Sequence, residues 1–382
     1  MTQQLTRILL FIVLVIRMGL SNEILAAGEA TVWLGMSRPA HGEREGIYRA
    51  TLNMKTGAIS TPAVAAEIGE PEFLALHPGG THLYAACQLP DGKPAVAAFE
   101  ISNDKKSLTL LNTEPINDGG ACHIATDNTG RCLFTAQYGT GTVAAFPLEA
   151  DGRIRPRSAL IRQSGTGPNK ARQEGPHPHW VGADPADRFL FVPDLGADKI
   201  FIYEMDLAAG TLKPHGHGTC PPGSGPRHMA FHPNGKFAYV VNEMGVTVTA
   251  FAYDANAGTL TALETVDSLP EKDREIPSTA AELCMHPSGE FLYASTRDHD
   301  TISAFRVDPN TGRLKFVERE PIRGSHPRSF GLDPTGNWLL AAGRDSNTVS
   351  VFHIDPKTGS LVYNETITNA PQPICVLIQA AK

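Results

Sequence analysis

HMAFHPNGKFAYVVNE, residues 228–243, holds two apolar runs joined by His-Pro-Asn-Gly. Proline at the second turn position fixes φ, and glycine two residues later relieves the backbone, so the runs pair as a hairpin. The same pattern recurs in FLALHPGGTHLYAACQ (73–88), HIATDNTGRCLFTAQY (123–138), HWVGADPADRFLFVPD (179–194), ELCMHPSGEFLYASTR (282–297) and SFGLDPTGNWLLAAGR (329–344). The turn residues His77, Asp127, Asp184, His232, His286 and Asp333 are spaced by 50, 57, 48, 54 and 47 residues. A period of this size marks a repeat architecture.

Each hairpin is followed by a third apolar strand, such as KIFIYEMD, VTVTAFAYD or TVSVFHID. A fourth follows a glycine turn, as in GTLTALETV, GRLKFVERE and GSLVYNETI. Four antiparallel strands per unit predict the blade of an all-β propeller. The ends supply one more blade. TVWLGMSR, GIYRATLN and AISTPAVAAE read as strands two to four of a unit whose first strand is PICVLIQ, residues 373–379. Closing the ring with both ends removes its free edge. The expectation is a single seven-bladed β-propeller over 29–382, with no linker dividing it.

The chain has 382 residues, 41% of them hydrophobic, with 36 glycines, 29 prolines and a formal net charge of −7. The length is ample for a large core, and the acidic balance argues against nucleic acid as a partner. Residues 1–28 carry Arg7, an apolar run over 8–16 and small residues at 26–28. That order is read as an export signal, too short to span a bilayer. The protein is therefore expected outside the cytoplasm, periplasmic or extracellular, without stable membrane insertion after cleavage. An uncleaved anchor or a mis-assigned start is the alternative. Its six cysteines show no CxxC and mostly sit within or beside strands, so they read as buried thiols.

In such a ring the starts of the first strands and the ends of the second strands crowd one mouth of the channel. Those positions hold Glu72 and Gln88, His123 and Gln137, His179 and Asp194, Arg227, His228, Asn242 and Glu243, Glu282 and Arg297, and Arg328 and Arg344. Four arginines from three adjacent blades at one mouth of an acidic chain favour a small anion, because guanidinium binds carboxylate and phosphate by a paired fork. His77, His232 and His286 lie in turns on the opposite face, and His215 and His217 fall in or near an outer strand. The two long intervals contain insertions at 163–179 and 267–282. Both extend the same mouth, where long loops on a rigid frame cover sites, and Lys170 and Arg172 add positive charge. No metal motif is present and no cofactor is expected. Asp194 with Glu243 is the one carboxylate pair weighed for a cation.

With these residues in view, the chain resembles the seven-bladed propeller lactonase family. That family includes propeller-type 6-phosphogluconolactonases and fungal 3-carboxy-cis,cis-muconate lactonizing enzymes. The most specific matches are HPHWVGADPADRFLFVPDLGADKI, GPRHMAFHPNGKFAYVVNE and PRSFGLDPTGNWLLAAGRDSNTVSVF. The resemblance implies that a His, an Arg, a Glu and a second Arg line the channel mouth, which by motif are His179, Arg227, Glu243 and Arg297. It implies lactone hydrolysis, or the reverse cyclisation, on a small anionic lactone or carboxylate. His179 or Glu243 is then the acid/base, with His179 preferred and His177 its competitor. Arg227 and Arg297 hold the substrate acid group and the oxyanion. His177, His123, Asp194, His228, Asn242, Arg328 and Arg344 are the expected substrate-binding set. One departure is the export signal, since the family's better-known enzymes are intracellular. A non-catalytic binding propeller is the rival reading, and a metal-dependent lactonase a third. A closed ring is expected to stand alone as a monomer.

Overall fold

A computed structural model describes residues 28–37, 44–273 and 276–380. The predicted export segment therefore lies, apart from Gly28, outside the described residues. Among these residues no helix is long and apolar enough to cross a membrane. The described residues form 28 strands in seven antiparallel four-stranded sheets. Six sheets are made of consecutive strands, spanning 69–115, 123–162, 182–219, 226–267, 279–321 and 327–369. The seventh joins both ends: inner strand Pro373–Gln379 pairs with Glu29–Met36, followed by Ile47–Asn53 and Ala63–Ala66. The inner strands of successive sheets touch in order, except that Pro226–Phe231 meets Phe189–Asp194, the second strand of the sheet before it, and the last returns to the first. This is the seven-bladed propeller that the repeat predicts.

Strand side chains alternate between the two faces of each sheet, and both faces are covered by neighbouring blades. That explains the nearly continuous apolar runs at the centre of every unit. Seven hydrophobic clusters result, one in each interface between blades. The closing blade is also pinned by a polar contact: Trp33, fully buried, donates its indole N–H to Gln379 Oε1 at 3.0 Å.

The turns on the far face have a second role. The ring Nε2 of His77, His232 and His286 lies 3.2, 2.9 and 2.8 Å from the carbonyl oxygens of Gly130, Gly289 and Gly336 in the next blade. Asp127, Asp184 and Asp333 instead receive backbone N–H groups of their own turns. In the one turn without glycine, Asp187 takes the left-handed position with φ 54°. These residues are consumed by structure, leaving chemistry to the opposite mouth.

Candidate active site

Two alignments of side chains build the mouth. The first holds the residue five positions before each turn residue: Glu72, Cys122, His179, Arg227, Ala281 and Arg328. The second holds the residue eleven positions after it: Gln88, Tyr138, Leu195, Glu243, Arg297 and Arg344. Several inner strands bulge here. The pairing register shifts across Arg227, between Pro226 and His228, and across Arg328, between Pro327 and Ser329. Further shifts fall between Gly69 and Phe73 and between Ala280 and Leu283. A bulge re-aims the extra residue away from the ladder. It thereby frees Glu72, Arg227 and Arg328 from the alternation that would bury every second one between blades. A cavity of about 540 Å³ opens at this mouth, lined by His179, Glu243, Arg297, Arg328, Glu72 and Tyr138 among others.

Glu243 is the electrostatic centre of one wall. Its Oε2 accepts from Arg227 Nε at 3.0 Å and pairs with Arg297 Nη2 at 3.1 Å, and its Oε1 accepts from Arg172 Nη2 at 2.7 Å. Burial opposes ionisation, but the charges of Arg297, Arg227 and Arg172 outweigh it and hold the carboxyl down at about 2. Arg227 is 1% exposed and also donates to the Ala281 carbonyl at 2.7 Å. Burial and the nearby Arg328 and Arg297 charges bring its guanidinium down to about 9, still protonated at neutral pH. Arg297 donates to the Ala280 carbonyl at 3.1 Å. Arg172 comes from the 163–179 insertion, which is pegged by buried Gln173. The Gln173 amide donates to the Leu195 carbonyl at 2.9 Å and to Asp198 at 2.8 Å. The insertion thus carries a charge into the site, as a covering loop would.

His179 faces the same cavity and is 5% exposed. Burial, then the Arg227, His228 and Arg328 charges, hold its imidazole far below the usual range, so it is neutral at neutral pH. Its Nδ1 is buried with no partner among the described residues. Arg328 lines the cavity, and no described residue hydrogen-bonds or ion-pairs with its guanidinium. Glu72 stands on the same wall. Burial raises its carboxyl above the ordinary range, with Arg328 working against the rise and Glu70 adding to it. Tyr138, which the sequence reading left out, donates nothing to Glu243 directly; its hydroxyl accepts from Arg172 Nη2 at 3.2 Å. It occupies the same alignment as Glu243 and Arg297, which is the signal that could have found it.

The other predicted binders lie elsewhere. His177 stacks on Tyr138 with centroids 4.4 Å apart and packs its ring nitrogens against the Tyr138 carbonyl and Glu174. It braces Tyr138 and does not line the cavity. Asp194 is fully buried, and its Oδ1 accepts the backbone N–H of His177 and Ala197 at 2.8 and 2.9 Å. Burial lifts its carboxyl to about 6. Asp194 and Glu243 share no cation site, since three guanidiniums occupy Glu243, and no His/Cys/Asp/Glu group fit for a metal occurs among the described residues. The Asn242 amide donates to Thr247 and Thr249 at 2.9 Å each. Arg344 forms a fork with its neighbour Asp345 at 2.6 and 3.1 Å. His123 and His228 sit one residue further along their strands than His179 does, in a deeper layer of the channel.

Comparison with known proteins places this architecture. Residues 31–378 match the family described as "Lactonase, 7-bladed beta-propeller". A 6-phosphogluconolactonase of Bacillus subtilis is 36% identical over 292 residues, covering 76% of this chain and 82% of that one. A 6-phosphogluconolactonase of Formosa agariphila is 32% identical over 296 residues, covering 75% and 82%. Among solved structures, a periplasmic gluconolactonase of Pseudomonas aeruginosa superposes with a TM-score of 0.85 at 28% identity, covering 93% of this chain and all of that one. The chain belongs to the seven-bladed β-propeller lactonase family.

Proposed function

We propose that the protein hydrolyses a sugar-acid lactone, of the gluconolactone or 6-phosphogluconolactone type, in the mouth cavity. The observation that carries this reading is the cavity's division of charge. A neutral imidazole, His179, and an unpaired guanidinium, Arg328, face the space beside a carboxylate locked by three arginines. In this scheme a water oxygen bonds to the lactone carbonyl carbon as its proton passes to His179. Arg297 and Arg328 receive the oxyanion. The acyl carbon–ring oxygen bond then breaks, and the ring oxygen takes a proton from Glu72. Glu243 stays ionised and holds the arginines in place rather than titrating. Opposite shifts in two titratable groups, His179 downward and Glu72 upward, suit a base and an acid on one substrate. The activities for which the Bacillus and Pseudomonas relatives are named support the same class.

Hydrolysis is favoured over carboxymuconate-type cyclisation by the same arrangement. A tricarboxylate needs several uncommitted cations, whereas Arg172, Arg227 and Arg297 already serve Glu243. The proposal includes export through residues 1–28 and a single catalytic ring over 29–382; the relative named as periplasmic supports it.

The test is proton release from gluconolactone, 6-phosphogluconolactone and a muconolactone above their spontaneous rates. Replacing His179 with Ala is expected to lower turnover of the best substrate roughly 100-fold or more. Turnover equal to wild type would reject His179 as the base, and no turnover of any lactone by the wild type would reject the class.

A further inference from the structure

Behind the cavity lies a layer of residues four positions before the turns: Phe73, His123, Trp180, His228, Glu282 and Ser329. His228 is 1% exposed, and its Nδ1 is 2.7 Å from Glu282 Oε1. The same Glu282 oxygen accepts the Leu283 backbone N–H at 3.0 Å, and the Ser329 hydroxyl also bonds the carboxylate. Burial raises the Glu282 carboxyl, with the Arg227 charge and these donors working against the rise; toward an ionised Glu282, His228 donates from Nδ1 and its Nε2 carries the lone pair. That Nε2 is buried without a partner among the described residues, as is His179 Nδ1. The two rings stand 5.4 Å apart between centroids. Neither nitrogen hydrogen-bonds the other, and at this ring separation a single water between them would complete the link. His123 also approaches His228, at 5.3 Å, but its Nδ1 accepts the Val181 N–H, which ties it to the wall.

Resting on the proposed hydrolysis, we propose that His179, His228 and Glu282 form a relay that carries the proton of the attacking water away from the cavity to Glu282. In the relay His179 bears its proton on Nδ1 before reaction, on the side of the His228 ring, which leaves Nε2 bare toward the substrate. When water attacks, its proton binds His179 Nε2. The Nδ1 proton passes through one bridging water to His228 Nε2, and the His228 Nδ1 proton passes to the Glu282 carboxylate. One proton enters and one carboxylate is neutralised, so both imidazoles end neutral as their other tautomers. An imidazolium is costly here, first because both rings are buried, and then because Arg227 and Arg328 act on His179 and Arg227, Arg328 and Arg297 act on His228, against Glu243 and the adjacent Glu282. Burial makes Glu282 the better resting place for a proton, raising its carboxyl against the pull of Arg227 and His123. Glu282 and His228 are then positioning residues: they fix the His179 tautomer and take over its charge, without touching substrate.

Two measurements test the relay. In wild-type protein labelled with nitrogen-15 at histidine, the ring signals of His179 and His228 are expected to report protons on Nδ1 and bare Nε2 atoms. A proton on Nε2 of either ring overturns the proposal, whatever lactone is turned over. In mixtures of light and heavy water, wild-type kcat is expected to follow a bowed curve, since more than one proton moves. Glu282→Gln is expected to keep KM, lower kcat about tenfold and give a straight line, the magnitude being that of losing an outer partner of a catalytic histidine. A straight line in the wild type, or wild-type kcat with an unchanged bow in Glu282→Gln, overturns the relay. If that variant does not fold, the two wild-type readings still decide.

Discussion

Replacing Glu243 with Gln removes the charge shared by three guanidiniums while nearly preserving shape. The amide can still accept through one oxygen, but its NH₂ group meets another donor. Arg227 and Arg297 then remain in the interior, 1% and 7% exposed, as unpaired cations beside Arg328. Taking one partner from a buried ion pair costs about 3–5 kcal/mol. The part owed to Arg172 is small, about 0–1 kcal/mol, because its side chain is 41% exposed. An unfolding entropy of about 2.1 cal/mol/K per residue over roughly 350 ordered residues is about 0.7 kcal/mol/K, so a loss of about 4 kcal/mol lowers Tm by about 5–6 °C. Scanning calorimetry of wild type and Glu243→Gln measures this directly. The cycle is completed with Arg227→Met, alone and in the double variant. Neutralising Arg227 removes one of the stranded cations, so the double variant is expected to melt above Glu243→Gln. A Glu243→Gln Tm within about 1 °C of wild type would show that the carboxylate does not hold the cluster together, and its assigned role would fail.

Two other outcomes follow from the same charges. Arg328→Ala is expected to raise KM for lactone at least about tenfold, the effect of losing an uncommitted charge worth about 1.4 kcal/mol or more. Its Tm should change little, because Arg328 repels Arg227 and Arg297 while attracting the Glu72 carboxyl; a fall in Tm as large as that of Glu243→Gln or an unchanged KM would contradict its reading as a free anchor. The protein should also weaken in mild acid. His123, His179 and His228 are held neutral by burial, so the unfolded chain binds more protons than the folded one below about pH 6.5, and stability falls as pH falls. Glu72, Glu282 and Asp194, raised by burial, hold protons more tightly in the folded state and offset part of this. The three histidines outnumber Glu282 around the cavity's deeper layer, so a net loss between about pH 7 and about pH 5.5 is expected as a fall in the urea midpoint, and a midpoint that rises over this interval would refute the neutral assignment.

The ring was legible because each blade is local: the hairpin turn, the third strand and the fourth all follow within about fifty residues. The closing blade was legible because 31–38 lacks a first strand and 373–379 lacks a second. The site was only partly so. Most strand ends near the mouth are polar, and sequence alone ranks Asn242 beside Glu243 and Arg344 beside Arg328. What separates them is who answers their hydrogen bonds. Thr247 and Thr249 satisfy Asn242 and Asp345 satisfies Arg344, while Arg328 is left to the cavity. A single step along the strand also matters. His179 is five residues before its turn and meets the cavity; His123 and His228 are four before theirs and drop to the layer beneath. The Arg172 contact with Glu243 depends on how an irregular insertion folds, and no repeat predicts that.

The pairing of Glu29–Met36 with Pro373–Gln379 has a consequence for how the protein is made. Trp33 and Gln379 are bonded neighbours 346 positions apart, so the earliest described strand waits for its partner until every other strand has been synthesised. Until then the growing chain is an open arc with an unsatisfied hydrogen-bonding rim at its leading strand. Such a rim invites strand pairing between nascent molecules, and contacts of this sequence separation are slow to form. The last step of folding therefore coincides with the completion of the mouth, and an arc caught before closure has no assembled site.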